Sequence, residues 1–420
     1  MVLLYYFLLI PPLLLMGYYL LNDIRKLVII GVIYLSFFIN SLPWEFIPFN
    51  GVAIASMYFF IFLSYILLLL KKKLEFRWNI YLTLILLLLI TMALNIGFED
   101  PSNYGVQKVT LFFVKCVVPI ITIYWLSPFN ENEKKVIIIT IIIGGMITSV
   151  KLLVFGDLTS QRVIFAETNP ITIGREIGVG LIVSLITYFT TLKHKILAGK
   201  KLYESLLLLI MVVSIISLIF TGSRGPILAV VIGVLAGIVL SRISIDRKMR
   251  KIFPVIIICL SIVVLNIFDV NFETTSLTRI INQFENIGDN TSDQARILKF
   301  EHALEGYQSS PFIGMGTGKY FTISPLIREG DYPHNLILEV MAEQGLIGLI
   351  IMGLILISIC IKIFKLYRNN NAYISILSAL VIYSFINSMV SRDIPANSAF
   401  WISSILLWAF VANERKGETR

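Results

Sequence analysis

Charge is scarce in this sequence. Asp, Glu, Lys and Arg make up 15% of its 420 residues, while 57% are hydrophobic and the mean hydropathy is +0.85. Soluble globular chains carry about a quarter charged residues, so a soluble fold is excluded. Histidine and cysteine are scarcer still, with three of each. Cys116, Cys259 and Cys360 stand alone in apolar runs, which excludes a disulfide framework or thiolate metal site and leaves small core residues. Heptads, Gly/Ser linkers and internal repeats are also missing.

What is present is apolar sequence. Runs long enough to cross a bilayer repeat along nearly the whole chain, from 2–21, 27–41, 50–70 and 78–97 to 252–268, 372–390 and 396–413, about 12–13 in all. The expected fold class is an all-α polytopic membrane protein with one large extracytoplasmic loop containing an amphipathic helix. Run 2–21 has no basic start, contains Pro11-Pro12 and lacks a small-residue cleavage pattern, so it reads as a membrane helix and not a signal peptide.

The basic excess of +9 is topological. Of 35 Lys and Arg, 23 lie in seven clusters at every second connection, whereas 18 of the 26 acidic residues lie elsewhere. This positive-inside pattern puts the clusters and the C-terminus in the cytoplasm. Spread over loops in this way, the charge forms no groove, and nucleic acid is not an expected partner.

Two outer connections are long, 156–176 and 269–334. Loops of that length usually carry function. The chain divides accordingly into N-terminal helices (1–155), a catalytic-type region (156–350) and C-terminal helices with a cytoplasmic tail (351–420). In the second loop Thr291-Ser292-Asp293 offers an N-cap, and Ile297, Phe300, Leu304 and Tyr307 recur at helical spacing. These predict an amphipathic helix over 293–308 against the membrane-facing mouth of the bundle, with Arg296 one step from the apolar stripe. Ser310-Pro311 should end it. Gly314, Gly316 and Gly318 then form a turn-rich stretch, which follows no strand and opens no Rossmann helix, so a nucleotide site is rejected.

Arginine outside the cytoplasm needs a reason beyond topology. Arg162, Arg175, Arg224, Arg279, Arg296, Arg328 and Arg392 all qualify. Arg224 lies in Thr221-Gly-Ser-Arg-Gly-Pro226, a tight turn with Ser223 as a possible cap; a guanidinium at a helix N-terminus suits phosphate. Snorkelling to headgroups is the alternative. For Arg296 a pair with Glu301 is the alternative, and for Arg162 and Arg175, which flank Asn169-Pro170, pairs with Glu167 or Glu176.

His334 stands in Asp331-Tyr-Pro-His-Asn335, where the polar segment returns to apolar helix. The helix dipole disfavours the imidazolium there, leaving a neutral ring suited to general-base work; a capping role is the alternative. His302 lies in the same polar segment, and His194 lies among lysines. On the outer face no carboxylate or histidine cluster has metal-ligand spacing, so the chemistry is expected to need no metal and no cofactor.

Taken together, these residues resemble the superfamily of O-antigen polymerases and O-antigen ligases, polytopic membrane glycosyltransferases. The resemblance runs over about 160–350: Gln161-Arg162 with Asn169-Pro170, Thr221-Gly-Ser-Arg-Gly, Ala295-Arg296, Ser310-Pro-Phe-Ile-Gly-Met-Gly-Thr-Gly, and His334-Asn335 running into Glu339 and Glu343-Gln-Gly. Phe300 stands where family members often have tryptophan.

The resemblance implies transfer of a glycan from a polyprenyl-pyrophosphate donor on the outer face of the bacterial cytoplasmic membrane. Arg224 and Arg296 would bind the pyrophosphate and His334 would activate the acceptor hydroxyl, inverting the anomeric carbon. Arg162, Arg175, Arg279, Ser223 and Asn335 are expected substrate contacts. The implied partners are lipid-linked glycan donor and acceptor, the bilayer and a chain-length regulator. An Ile-, Lys- and Asn-rich chain suits a polymerase, with a ligase as alternative. A transporter or flippase fits less well: only Lys115 and Lys151 bring charge near the apolar spans, and no half-to-half symmetry is visible.

Overall fold

Caps set the helix starts. α1 (Ile24–Phe38) begins behind Asp23, α2 (Ile80–Leu94) behind Asn79 and α3 (Asn103–Leu126) behind Ser102, each side chain accepting a first-turn N–H. α4 (Glu131–Phe155) opens on a reciprocal capping box between Asn130 and Glu133, and α5 (Pro170–Phe189) on an Asn169 cap followed by proline. After them come α6 (Lys201–Phe220), α7 (Arg224–Leu240), α8 (Thr291–Ser309), α9 (Leu336–Tyr367), α10 (Ala372–Ser388) and α11 (Ser398–Ala409).

The computed structural model describes residues 23–39, 62, 66, 68–70, 76–97, 102–158, 160, 162–164, 169–190, 196, 200–240, 291–324, 327–368 and 372–410. No β-strand occurs among them. Helices α3, α4, α5, α6 and α9 are long and apolar enough to cross a membrane, and shorter apolar helices accompany them. The protein is an all-helical, multi-pass membrane protein. Runs 2–21 and 252–268, most of 50–70, and Arg279 lie outside the described residues.

α5 is the central helix, 83% buried over its most apolar window against 28% for α9. It packs on α4, α6, α7 and α10. At the α4–α5 crossing, a Cβ added to Gly145 or Gly180 would stand 2.6 Å from the other's Cα, so only glycine permits this approach. α3 widens into a π turn at Phe113–Val117, ahead of Pro119, whose ring cannot continue the regular hydrogen-bond ladder.

α9 is broken. Gly345 has φ 60° and ψ −152°, dividing it into a first half, 336–344, and a second half. The segment after α8 fills the break. Met315 and Gly316 donate their N–H groups to the Ala342 and Glu343 carbonyls at 2.9 and 3.2 Å, while Leu346 and Ile347 donate to the Pro311 and Phe312 carbonyls at 2.8 and 3.2 Å. Asn95 of α2 adds bonds to the Ile313 and Glu343 carbonyls. Every backbone group freed by the break that these bonds reach is thereby paired, as a low-dielectric setting demands. A Cβ on Gly314 would lie 2.4 Å from the Glu343 carbonyl carbon, which explains the glycines of this stretch better than any nucleotide would.

α8 runs as expected to Ser309, but two details differ. It is already helical at Thr291, two residues before the expected start. Its apolar stripe is also only half covered: Ile297 and Leu304 are about half exposed, while Phe300 and Tyr307 are part-buried. The inward face carries Arg296, Lys299, Ala303 and Gly306 against α9. An apolar stripe left half uncovered is what a helix lying along a bilayer surface presents.

The two ends of the bundle hold different material. At one end Arg25 pairs with Glu133 at 2.5 Å, and Tyr373 donates to Glu131 at 3.0 Å. The other end gathers residues 95–97, 102–105, 160, 162–164, 169–175, 220–226, 311–324, 327–335 and 387–397, linked by the hydrogen bonds and close contacts described next.

Candidate active site

His334 sits in a forced turn. Its φ is 61°, one of two positive values among non-glycine residues in the described chain, and the next residue opens α9. Such strain persists only where the surroundings impose it. Asn335 Oδ1 accepts from the N–H groups of Ile337 and Leu338, and its Nδ2 donates to the Met389 carbonyl at 3.2 Å. The Asn335 amide is thus occupied with orienting the turn.

Around the imidazole the charge is positive. Lys299 Nζ lies 3.4 Å from His334 Nε2 and 3.2 Å from Asp331 Oδ1. An ammonium only donates, so Nε2 is the accepting, basic nitrogen and the ring hydrogen is assigned to Nδ1. Tyr332 packs edge-on against the ring, with centroids 4.5 Å apart. Burial, with the cations Lys299 and Arg296, pushes the His334 pKa down to about 4, opposed by Asp331. The ring is neutral at physiological pH and available as a base.

Lys299 escaped the sequence reading, although it lies one turn from Arg296 on the same helix face. Its effect has a sign. Replacing Lys299 by methionine removes a cation from the imidazole, so the His334 pKa should rise. The acid limb of the kcat/KM profile should then move upward from near pH 4. An unmoved limb in a well-expressed Lys299→Met protein would show that Lys299 does not tune the base.

Arg224 is the first residue of α7, after a turn in which Ser223 is buried and its hydroxyl donates back to the Thr221 carbonyl at 3.2 Å. Two contacts tie this turn to the His334 end. Gly225 lies against Val390, the neighbour of the Met389 that Asn335 grips, and Gly174 of α5 lies against Pro226 and Thr221. Arg162 is brought alongside, because Val163 donates its N–H to the Phe220 carbonyl at 3.1 Å. Arg175 does not pair with Glu176: its guanidinium donates to the carbonyls of Asn387 and Ser391 and to Asn397 Oδ1. His334, Arg296 and Lys299 therefore form one group, and Arg224, Ser223 and Arg162 a second group at the same end.

Below His334 the first half of α9 carries Glu339 and Glu343, both fully buried against Lys108 of α3. Lys108 Nζ is 2.6 Å from Glu343 Oε1, and Glu339 Oε1 also accepts from Ile394 N–H at 3.2 Å. Tyr104 extends the network by donating to Asp393 Oδ2 at 2.8 Å. The two glutamates belong to the resemblance noted above; their shared lysine, more than two hundred residues away, did not announce itself.

Residues 209–353 match the family model described as O-antigen ligase. The chain carries an O-antigen ligase family domain. That domain is shared by polymerases and ligases, membrane glycosyltransferases acting on lipid-linked glycans, and its matched range holds Arg224, Arg296, Lys299 and His334. No curated protein matches the chain.

Proposed function

We propose that the protein is a polymerase that joins polyprenyl-pyrophosphate-linked oligosaccharide repeats into a surface polysaccharide, O-antigen or capsule. The reaction takes place on the outer face of the bacterial cytoplasmic membrane. The observation that carries this reading is His334, a neutral imidazole in a forced turn, with Lys299 at its basic nitrogen and Arg296 nearby, inside an O-antigen ligase family domain.

In the proposed reaction an acceptor hydroxyl takes the place of Lys299 at Nε2. Its oxygen attacks the anomeric carbon of the donor sugar while the bond from that carbon to the pyrophosphate oxygen breaks. The proton passes to His334, and polyprenyl pyrophosphate leaves with its charge opposed by Arg224 and Arg296. Two guanidiniums can do this without a metal ion, and attack from the face opposite the leaving group inverts the carbon. The outer-face assignment is supported by those basic-cluster residues that are described: Arg25, Lys134 and Lys362 lie with Glu133, Tyr373 and Trp408 at the end of the bundle away from His334.

Polymerase is favoured over ligase by the Ile-, Lys- and Asn-rich composition expected of a serotype-specific locus. Polysaccharide gels from a strain lacking the gene test it. A ladder collapsing to core plus one repeat is expected; full-length glycan accumulating on carrier lipid, with bare lipid A core, would make the protein a ligase instead.

A further inference from the structure

The outer end holds a second set of cations that this reaction does not use. A cavity of about 80 Å³ lies among α1, α3, α5, α10 and the start of α11, several times what one water requires. Lys115, Arg175 and Arg392 line it, against a single carboxylate, Glu176. Neutral groups hold the arginines: Arg175 bonds two carbonyls and the Asn397 amide oxygen, and Arg392 bonds Thr172 Oγ1. Arg175 Nε is buried without an acceptor. Among the described residues, none of the three cations forms a salt bridge. Three cations face two carboxylates, Glu176 on the wall and Asp393, which acts on Lys115; the net positive charge left inside the protein is costly, and a bound anion relieves that cost. The Thr172 hydroxyl, accepting from Arg392, keeps its hydrogen for a further acceptor.

Position narrows the anion. The cavity lies toward the outer ends of α1, α5, α10 and α11, with Lys115 reaching it from midway along α3, near the level where the headgroup of a membrane lipid resides. It also communicates with the base: Arg175 acts on both His334 and Tyr332, and Arg392 acts on Tyr332, whose ring packs against His334. A polymerase needs two carrier lipids at once, one bearing the chain to be transferred and one bearing the acceptor repeat.

We propose that this cavity is a second pyrophosphate site. It takes the headgroup of the acceptor carrier lipid while Arg224 and Arg296 hold that of the donor; the acceptor role rests on the polymerase reading. The acceptor glycan then arches past Tyr332 to present its hydroxyl to His334.

Farnesyl diphosphate titrated into the full-length protein in nanodiscs tests the site. Two molecules should bind per chain. The pair Lys115→Met with Arg392→Asn should leave one, Arg224→Gln with Arg296→Gln should leave one, and all four changes should leave none. Asparagine is chosen at position 392 because it tolerates the φ of 69° there. One site in the wild type, or two in the Lys115/Arg392 variant, overturns the proposal. Inorganic pyrophosphate should bind the cavity at least tenfold more weakly; equal affinity would identify a free-anion site and overturn the lipid assignment. In transfer assays the Lys115/Arg392 variant should raise KM for the carrier-linked acceptor tenfold or more with donor KM unchanged, and the reverse pattern counts against it. Two sites in a protein that never lengthens carrier-linked chains would sink the polymerase reading alone. One site in a protein that does lengthen them would sink the second site alone.

Discussion

Substituting asparagine for His334 is expected to lower turnover by about two to four orders of magnitude, the range contributed by a positioned general base. Asparagine is the informative replacement because it tolerates a φ of 61° and keeps the turn that opens α9. It cannot take a proton. A fall in kcat with KM for both substrates nearly unchanged would separate lost chemistry from lost binding. The measurement is initial rate with purified protein and lipid-linked repeats, with thermal unfolding as the check on folding. Wild-type ladders from a stably expressed His334→Asn protein would remove His334 from the reaction.

The second large effect concerns stability. Lys108→Met strands Glu339 and Glu343 in a fully buried site without their common cation. Breaking a buried ion pair by removing one partner costs about 3–5 kcal/mol, a large fraction of the roughly 5–15 kcal/mol that holds a typical domain together. The melting temperature in detergent should fall sharply. Neutralising both acids as well, with Glu339→Gln and Glu343→Gln, should restore much of the loss, because no uncompensated charge then remains. A Lys108→Met protein that melts with the wild type would show that the triad does not secure the first half of α9.

The helices were legible in the sequence because an apolar run of membrane length has few alternatives, and α2, α10 and α11 begin within two residues of the expected runs 78–97, 372–390 and 396–413. His334 and Arg296 were legible for the converse reason: a charged or titratable group stands out against so apolar a background. The orientation of α8 was not. In water an apolar stripe must turn inward, but beside a bilayer both directions are apolar, and Ile297 and Leu304 turn outward while Arg296 and Lys299 turn in. The break in α9 was hidden as well, since Gly345 interrupts a pattern that otherwise reads as one helix and its partner segment lies some thirty residues earlier. Lys108 was missed because nothing local to it hints at Glu339 and Glu343. The cavity escaped for the same reason: Lys115, Arg175 and Arg392 come from three distant parts of the chain.

The segment lodged in the α9 break has a mechanical consequence. Lifting it would leave the N–H groups of Met315, Gly316, Leu346 and Ile347 without acceptors, each at a cost of about 1–3 kcal/mol in a buried setting. The hinge one would look for beside a glycine-rich loop is therefore a latch, welding the helix that carries Arg296 and Lys299 to the helix that His334 precedes. The two backbones keep fixed spacing, and only the Lys299 side chain has to swing aside to open His334 Nε2. In the proposed polymerase, advancing the glycan would then fall to the lipid-linked chains, which must exchange past a stationary centre.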